Sequence, residues 1–470
     1  MKWAIYNLLF LTVYPFLIPG FLVRMLKRGG YAARFWDRFA LYPRGLFGEN
    51  KELYDSHVPA RGRAGNGEDF VWIHAVSVGE VQVAGQLMRE WRKVEPGVRF
   101  CFSTTSSTGW KMALKEVKSE GEGEDVLIYN PLDFPTFVKG ALMAVRPRAI
   151  VLTESEIWPN FIRRAKKLGI PIFLINARVS DRSAPRYKLA KWWFGDVFDC
   201  FSRIFAQSEL DKRRLVDAGA PEDRVDVTGS FKFDVAHRNE AKEKEMREWI
   251  GEGRILLGGS TWPGEDEVML KIYRRLLSTA VDGERISLVI APRHFEKADA
   301  VEANIRKAGF GCVRRSRGDK VKVRGEGEQR NCESSVHLEP SPSPVFLADT
   351  TGELMGLYGI ADVVFVGKSL CAHGSQNMIE PCLCGKPTLV GPYTENFRPV
   401  MSDLLENDAI VQVKDAQELE AKTVELFASD GSGRETASPL VVLGERAKRA
   451  VEMRRGVVPK CVSAIREAIA

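Results

Sequence analysis

Three acids and a lysine in the first half of the chain stand where short apolar runs end, which is where a sheet enzyme keeps its reactive groups. In VWIHAVSVGEVQVAG, Gly79 and Glu80 fall at the turn from a strand into a helix. A carboxylate placed there can take a proton from an attacking hydroxyl. An acid in a first helical turn also simply complements the helix dipole, and the local sequence leaves both roles open. In RAIVLTESEIWPN, Glu154 and Glu156 leave a buried strand just before Trp158 and Pro159 open a helix. Two acids one residue apart face different ways, so one can reach a ligand while the other caps the helix; capping by both is the plainer account. VTGSFKFD adds Lys232, a cation for a phosphate or carboxylate, or else an ordinary surface lysine.

The second half carries a different set. GGSTWPGEDE opens on Gly258, Gly259, Ser260 and Thr261, a flexible strand-to-helix turn able to offer N–H groups to a phosphate, although the GK[ST] ending of a P-loop is missing. APRHFEKAD sets Pro292, Arg293 and His294 directly after a strand, where Arg293 and His294 suit an anion. DTTGEL turns into a helix through Gly352, Glu353 and Leu354, and GSQNMIEP spaces Asn377 and Glu380 three apart, as on one helical face. A carboxylate at that spacing could accept two ribose hydroxyls. Singly each signal is weak.

The elements that must position these groups alternate between short apolar runs and longer amphipathic ones, the pattern of βαβ units and parallel sheets. Strands are expected at 70–76, 98–104, 148–153, 171–177 and 203–208, then at 254–260, 286–292, 361–367 and 387–392. A chain of 470 residues exceeds one ordinary core, so two α/β domains are expected. The boundaries read as 1–34 for an N-terminal segment, 35–234 for the first domain, 235–252 for a polar, helix-prone linker and 253–470 for the second domain. The charged, Ser- and Pro-containing stretch from Arg314 to Pro344 reads as an insertion or mobile loop.

Residues 3–23 are apolar and uncharged and are followed by Arg24, Lys27, Arg28 and Arg34. That length just reaches a bilayer span, and the cationic flank is expected to stay on the cytoplasmic side against anionic headgroups. No small-residue cleavage site follows, which argues against a signal peptide, while Pro15 and Pro19 leave open a helix lying in one leaflet. The net charge of +6 favours an anionic partner without choosing it. Eight cysteines lack the spacing of a metal finger or disulfide framework and read as free thiols of a reducing compartment. The basic residues cluster near the first segment and mix with acids elsewhere, which disfavours nucleic acid.

Taken in order, HAVSVGEV, TTSSTGW, YNPLDFP, RPRAIVLTESEIWPN, INARVSDRS, GSFKFD, GSTWPGEDE, APRH, TGEL, NMIEP and GPYTENF resemble the Kdo transferase family, over about residues 72 to 398. That resemblance implies GT-B architecture, with two Rossmann-like domains facing a cleft, and transfer of 3-deoxy-D-manno-octulosonic acid from CMP-Kdo to a lipid A precursor at the inner membrane, with no metal or cofactor. It implies Glu80 as general base, Glu154 and Lys232 as transition-state stabilisers, and Pro292, Arg293, Gly352, Glu353, Leu354, Asn377 and Glu380 as CMP-binding residues. The sequence departs from the pattern at GSQN, where Gln376 stands in place of the family's usual His. Two other readings compete: a transferase or epimerase of the same architecture using a UDP-sugar, and a non-catalytic membrane-bound adaptor. The adaptor predicts losses at Glu80, Lys232 or Arg293, and all three are present.

Overall fold

In the computed structural model of the chain, the described residues are 2–8, 10–13, 16, 20, 34–43, 45–47, 70–117, 124–235, 237–280, 284–319, 344–428 and 438–470. They form two compact units, one of Met1–Val235 with Gly456–Ala470 and one of Ala236–Arg455.

The first unit is built on a parallel sheet of β1 (Val71–His74), β2 (Phe100–Thr104), β3 (Val126–Tyr129), β4 (Ala149–Thr153), β5 (Ile172–Ala177), β6 (Arg203–Ala206) and β7 (Val225–Val227). The strand order is β3-β2-β1-β4-β5-β6-β7, the doubly wound arrangement. Strand side chains alternate between two cores, as the pleat requires. Trp72, Ile150 and Leu152 join one core; Val71, Ile73, Ala149 and Val151 join the other. Because both faces are covered, the central strands are mostly apolar, which is what made most of them readable, with polar residues such as His74, Ser103, Thr153 and Asn176 near their carboxyl ends.

The second unit repeats the plan with β8 (Arg254–Thr261), β9 (Ile286–Pro292), β10 (Cys312–Arg314), β11 (Val345–Leu347), β12 (Val363–Val366), β13 (Thr388–Val390) and β14 (Val411–Gln412), in the order β10-β11-β9-β8-β12-β13-β14. The helix Glu265–Thr279 lays Met269, Leu270, Ile272, Tyr273 and Leu276 into its core. In each sheet the order reverses beside the first strand, between β1 and β4 and between β8 and β12. The carboxyl ends of strands at such a switch point are where ligands of this architecture collect.

Four sequence expectations need correction or limits. The expected linker 235–252 is mostly the helix Glu240–Ile250, capped by Asn239 and packed within the second unit, where Arg247 donates to the Ile360 carbonyl at 2.9 Å. The last helix, Val457–Ile469, belongs to the first unit: Asp234 receives the Gly456 and Val458 N–H groups at 2.7 Å each, and Val458, Cys461 and Ile465 enter the core beside Val81. Sequence order could not show a chain that returns to its first unit. Among the expected insertion, Arg314 ends β10, and Arg315–Arg317 form a turn tied to Asp349; residues 320–343 lie outside the described ones. Finally, no helix among the described residues is long and apolar enough to cross a membrane, so the span read over 3–23 finds no support in them; 9, 14, 15, 17–19 and 21–23 lie outside the described residues, as do Arg24, Lys27 and Arg28. Seven cysteines are unbridged, and Cys332 lies outside the described residues.

Candidate active site

At the switch point of the first unit, Ser77 caps the helix Val78–Val94 by accepting the Glu80 N–H at 3.2 Å. The Glu80 carboxylate folds back on its own turn. Oε2 accepts the Val76 N–H at 3.0 Å and lies 3.2 Å from the Thr153 hydroxyl, whose single proton it shares with the His74 carbonyl at 3.0 Å, while Oε1 accepts the Ser77 hydroxyl at 2.8 Å. A carboxylate has about four acceptor positions, so one remains, on Oε1. Glu80 therefore completes a cap and leaves an acceptor position on Oε1.

Glu154 follows β4 with φ of 52°, and Asn176 in β5 has φ of 51°. This left-handed backbone costs a side-chain-bearing residue about 1–2 kcal/mol, more readily tolerated by Asn than by Glu. Strain of this kind persists where the surroundings over-determine it, commonly at functional sites. Here the result is a carboxylate held by Arg178 Nε at 2.8 Å and Asn176 Nδ2 at 3.3 Å. Burial pushes the Glu154 carboxyl above its ordinary value, Arg178 opposes that, Glu80 adds to it and Lys232 opposes it. Burial likewise pulls the Lys232 ammonium below its ordinary value, against the pull of Glu154. The three expected residues Glu80, Glu154 and Lys232 thus lie within one electrostatic cluster. Glu156 turns the other way: it accepts the Trp158 indole N–H at 3.0 Å and faces His74 Nε2 at 3.6 Å. His74, fully buried, sets its Nδ1 at 2.9 Å from the Ser103 hydroxyl.

The switch point of the second unit is built differently. Glu265, fully buried, accepts N–H groups from Trp262, Lys368, Ser369, Leu370 and Cys371 at 2.8–3.3 Å. This carboxylate is filled and serves to shape two loops. They approach so closely at Gly367 that a Cβ there would lie 2.3 Å from the Ser260 carbonyl oxygen, which only glycine permits. What the loops present is cationic. Arg293 is exposed with its N–H on the Thr261 carbonyl, Lys368 sets its ammonium 5.1 Å from the Trp262 ring, and Trp262 meets His294 at 4.8 Å. Pro292, half-buried, ends β9 beside Arg293.

The remaining expected residues keep to the same unit. Gly352 is exposed with φ of 85°, and Leu354 starts the helix Leu354–Ile360. The Glu353 carboxylate is engaged by Arg315 at 2.9 Å and by the Thr350 hydroxyl, so this turn offers backbone rather than a charged side chain. Asn377 is not on a helical face with Glu380, because the helix Ile379–Leu383 begins after it. It instead accepts the Ile379 N–H at 3.1 Å and donates to Glu380 at 3.0 Å. Burial raises the Glu380 carboxyl above its ordinary value, with Asn377 opposing. Thr153, Asn176, Arg178, Glu265 and Lys368 were missed as site residues. Asn176 and Arg178 lay inside INARVSDRS and Glu265 inside GSTWPGEDE, but only tertiary pairing reveals what each holds. Among the described residues no group of three His, Cys, Asp or Glu side chains is placed to hold a metal ion.

Two doubly wound parallel sheets, each with a switch point beside its first strand, give a GT-B-like fold. A solved glycosyltransferase from Rickettsia africae shares that fold at 13% identity and a TM-score of 0.55, over 85% of this chain and 99% of that one. The model of the 3-deoxy-D-manno-octulosonic-acid transferase (kdotransferase) family matches residues 33–235. The 3-deoxy-D-manno-octulosonic acid transferase of Haemophilus influenzae is 31% identical over 78% of this chain and 80% of its own length. That of Bordetella pertussis is 32% identical over 77% and 82%. The chain belongs to the Kdo transferase family.

Proposed function

We propose that this protein transfers Kdo from CMP-Kdo to a lipid A precursor, with inversion and without a metal ion. The observation that carries the reading is the cluster at the first switch point, where Glu80 keeps one free acceptor position beside Glu154 and Lys232. Glu80 Oε1 takes the proton of an acceptor hydroxyl as that oxygen bonds to the anomeric carbon of Kdo. The bond from that carbon to the CMP phosphate oxygen breaks, and CMP leaves with the electron pair. Lys232 and Arg178 balance the two carboxylates, so that Glu80 can gain a proton while the charge of Glu154 is held in place. In the second unit Arg293 and Lys368 supply positive charge for the leaving phosphate, a job a divalent ion does elsewhere, and His294 offers a ring nitrogen beside them. Asn377 and Glu380 suit the ribose hydroxyls.

A lipid acceptor calls for a membrane location, and we place the chain on the cytoplasmic side of the inner membrane, attached through residues 3–23 with anionic headgroups as partners. Donor choice separates this reading from a UDP-sugar enzyme. CMP should raise the midpoint of thermal unfolding and UDP at equal concentration should not; protection by UDP alone would overturn the assignment.

A further inference from the structure

The second switch point holds backbone strain that the course of its loops does not require. Ser260, Lys368 and Ser375 take left-handed backbone there, with φ of 54°, 58° and 57°. Glycine adopts that conformation freely, whereas a lysine adopts it against the contact of its own Cβ with the backbone. The chain does place a glycine one residue earlier, at 367, where a Cβ would collide with the Ser260 carbonyl. At 368, where glycine would relieve the strain, a long cationic side chain stands instead.

The surroundings fix Lys368 in this conformation. Its N–H donates to Glu265 at 2.8 Å and its carbonyl accepts the Ser375 N–H at 2.8 Å, while the Gly367 carbonyl accepts the Gln376 N–H at 3.1 Å. Strain over-determined in this way points to a position kept for its side chain. The Lys368 side chain is half-buried, with its ammonium 5.1 Å from the centre of the Trp262 ring. Among the described residues no carboxylate pairs with it, unlike His294, which meets Glu296 at 3.2 Å. Glu265, beside its N–H, is already filled by backbone donors. An indole face attracts a cation without neutralising it, so the charge of Lys368 stays available to an anion.

The same pair of backbone hydrogen bonds brings Lys368 beside the departure in GSQN. Gln376 contributes a neutral amide where the family's usual His could carry a charge or donate a ring N–H. These strand ends therefore lose a chargeable group at 376 and hold a cation at 368, two positions joined through adjacent rungs.

We infer that Lys368, held by Trp262, carries in this chain the positive charge that Gln376 does not, and that it meets the phosphate of the nucleotide-sugar. This rests on the reading of the second unit as the donor site and deepens it. It names which cation the phosphate requires, why a strained lysine is kept, and where an equivalent group could stand.

Thermal unfolding with CMP and with cytidine, which lacks the phosphate, separates that charge from the rest of the nucleotide. CMP should raise the wild-type midpoint clearly more than cytidine does. Lys368→Gly should remove most of the difference, through a loss of about tenfold or more in CMP affinity, while cytidine protection persists. Without ligand its midpoint should equal or exceed that of the wild-type chain, because the strain is gone. Lys368→Met, which keeps the strain, should lose the same phosphate-dependent protection without that gain. Adding Gln376→His to Lys368→Gly should restore much of it at about pH 6, where an imidazole is largely protonated. Retention of the CMP-over-cytidine difference in Lys368→Gly would overturn the inference. So would a lowered midpoint in that variant, the mark of a structural lysine, or a double variant no better than the single one. Each of these leaves the donor reading standing, whereas protection of the wild-type chain by neither ligand would remove that reading and this inference together.

Discussion

Each sheet places a glutamate just beyond its first strand, and the two side chains have come to opposite uses. Glu80 follows β1 and accepts three hydrogen bonds; Glu265 follows β8 and accepts five backbone N–H groups. The first keeps an acceptor position for a substrate hydroxyl, the second has none left. Residue type and place in the fold are alike, so what separates a candidate base from a structural tie is the number of donors around it. The surroundings differ to match. Glu80 shares its cluster with a second acid and two cations, whereas Glu265 draws two loops together so that Arg293, Lys368 and His294 are offered instead.

The strongest way to break this comparison is to neutralise both glutamates. Glu80→Gln keeps the shape and most of the hydrogen bonds but cannot accept a proton, so transfer should fall by about 10²–10⁴ with the unfolding midpoint preserved. A fall of less than tenfold in steady-state rates would remove Glu80 as base. Glu265→Ala should act on stability, because it strands buried N–H donors: about 3 kcal/mol by denaturant unfolding, with CMP protection lost alongside. Full stability in that variant would mean the loops do not depend on the carboxylate.

A smaller effect sharpens the description of the first cluster. The folded chain binds the Glu154 proton more tightly than the unfolded chain, since burial raises that carboxyl above its ordinary value of 4.5. The stability this confers is complete below 4.5 and is lost as pH rises through the raised value. Glu154→Gln, which cannot ionise, should flatten that decline in unfolding curves recorded across the same window. A slope identical to wild type would show that Glu154 is not the group responsible.

Much of the architecture was legible because strands covered on both faces must be mostly apolar along their length. β1, β2, β4, β5, β6, β8, β9, β12 and β13 follow that rule and were anticipated. β7, β10, β11 and β14 are only two or three residues long and were passed over, whereas β13, equally short, lies in the longer apolar run PTLVGP. β3 was passed over although VLIY is an apolar run, because it merges into the turn-rich YNPLDFP. The expected end of the first domain at 234 falls beside the observed division at Val235, but the C-terminal limit was missed for a different reason: a helix finds its unit by packing, and Val457–Ile469 packs where Asp234 caps it. At the site, Glu80, Glu154 and Lys232 were legible as types at strand ends. Thr153, which reaches Glu80, ends β4, while Asn176 and Arg178, which hold Glu154, lie in and just after β5; the left-handed turn at Glu154 leaves no mark in composition.

Delivery of Kdo to a lipid at the first switch point can be read from the lipid itself. Mass spectrometry of the lipid recovered after incubating the protein with CMP-Kdo and a tetra-acylated lipid A precursor tests it most directly. The wild-type chain should give a product heavier by whole Kdo units, and Glu80→Gln should leave the lipid unmodified. Unmodified lipid from the wild-type chain, or equal product from both, would contradict it.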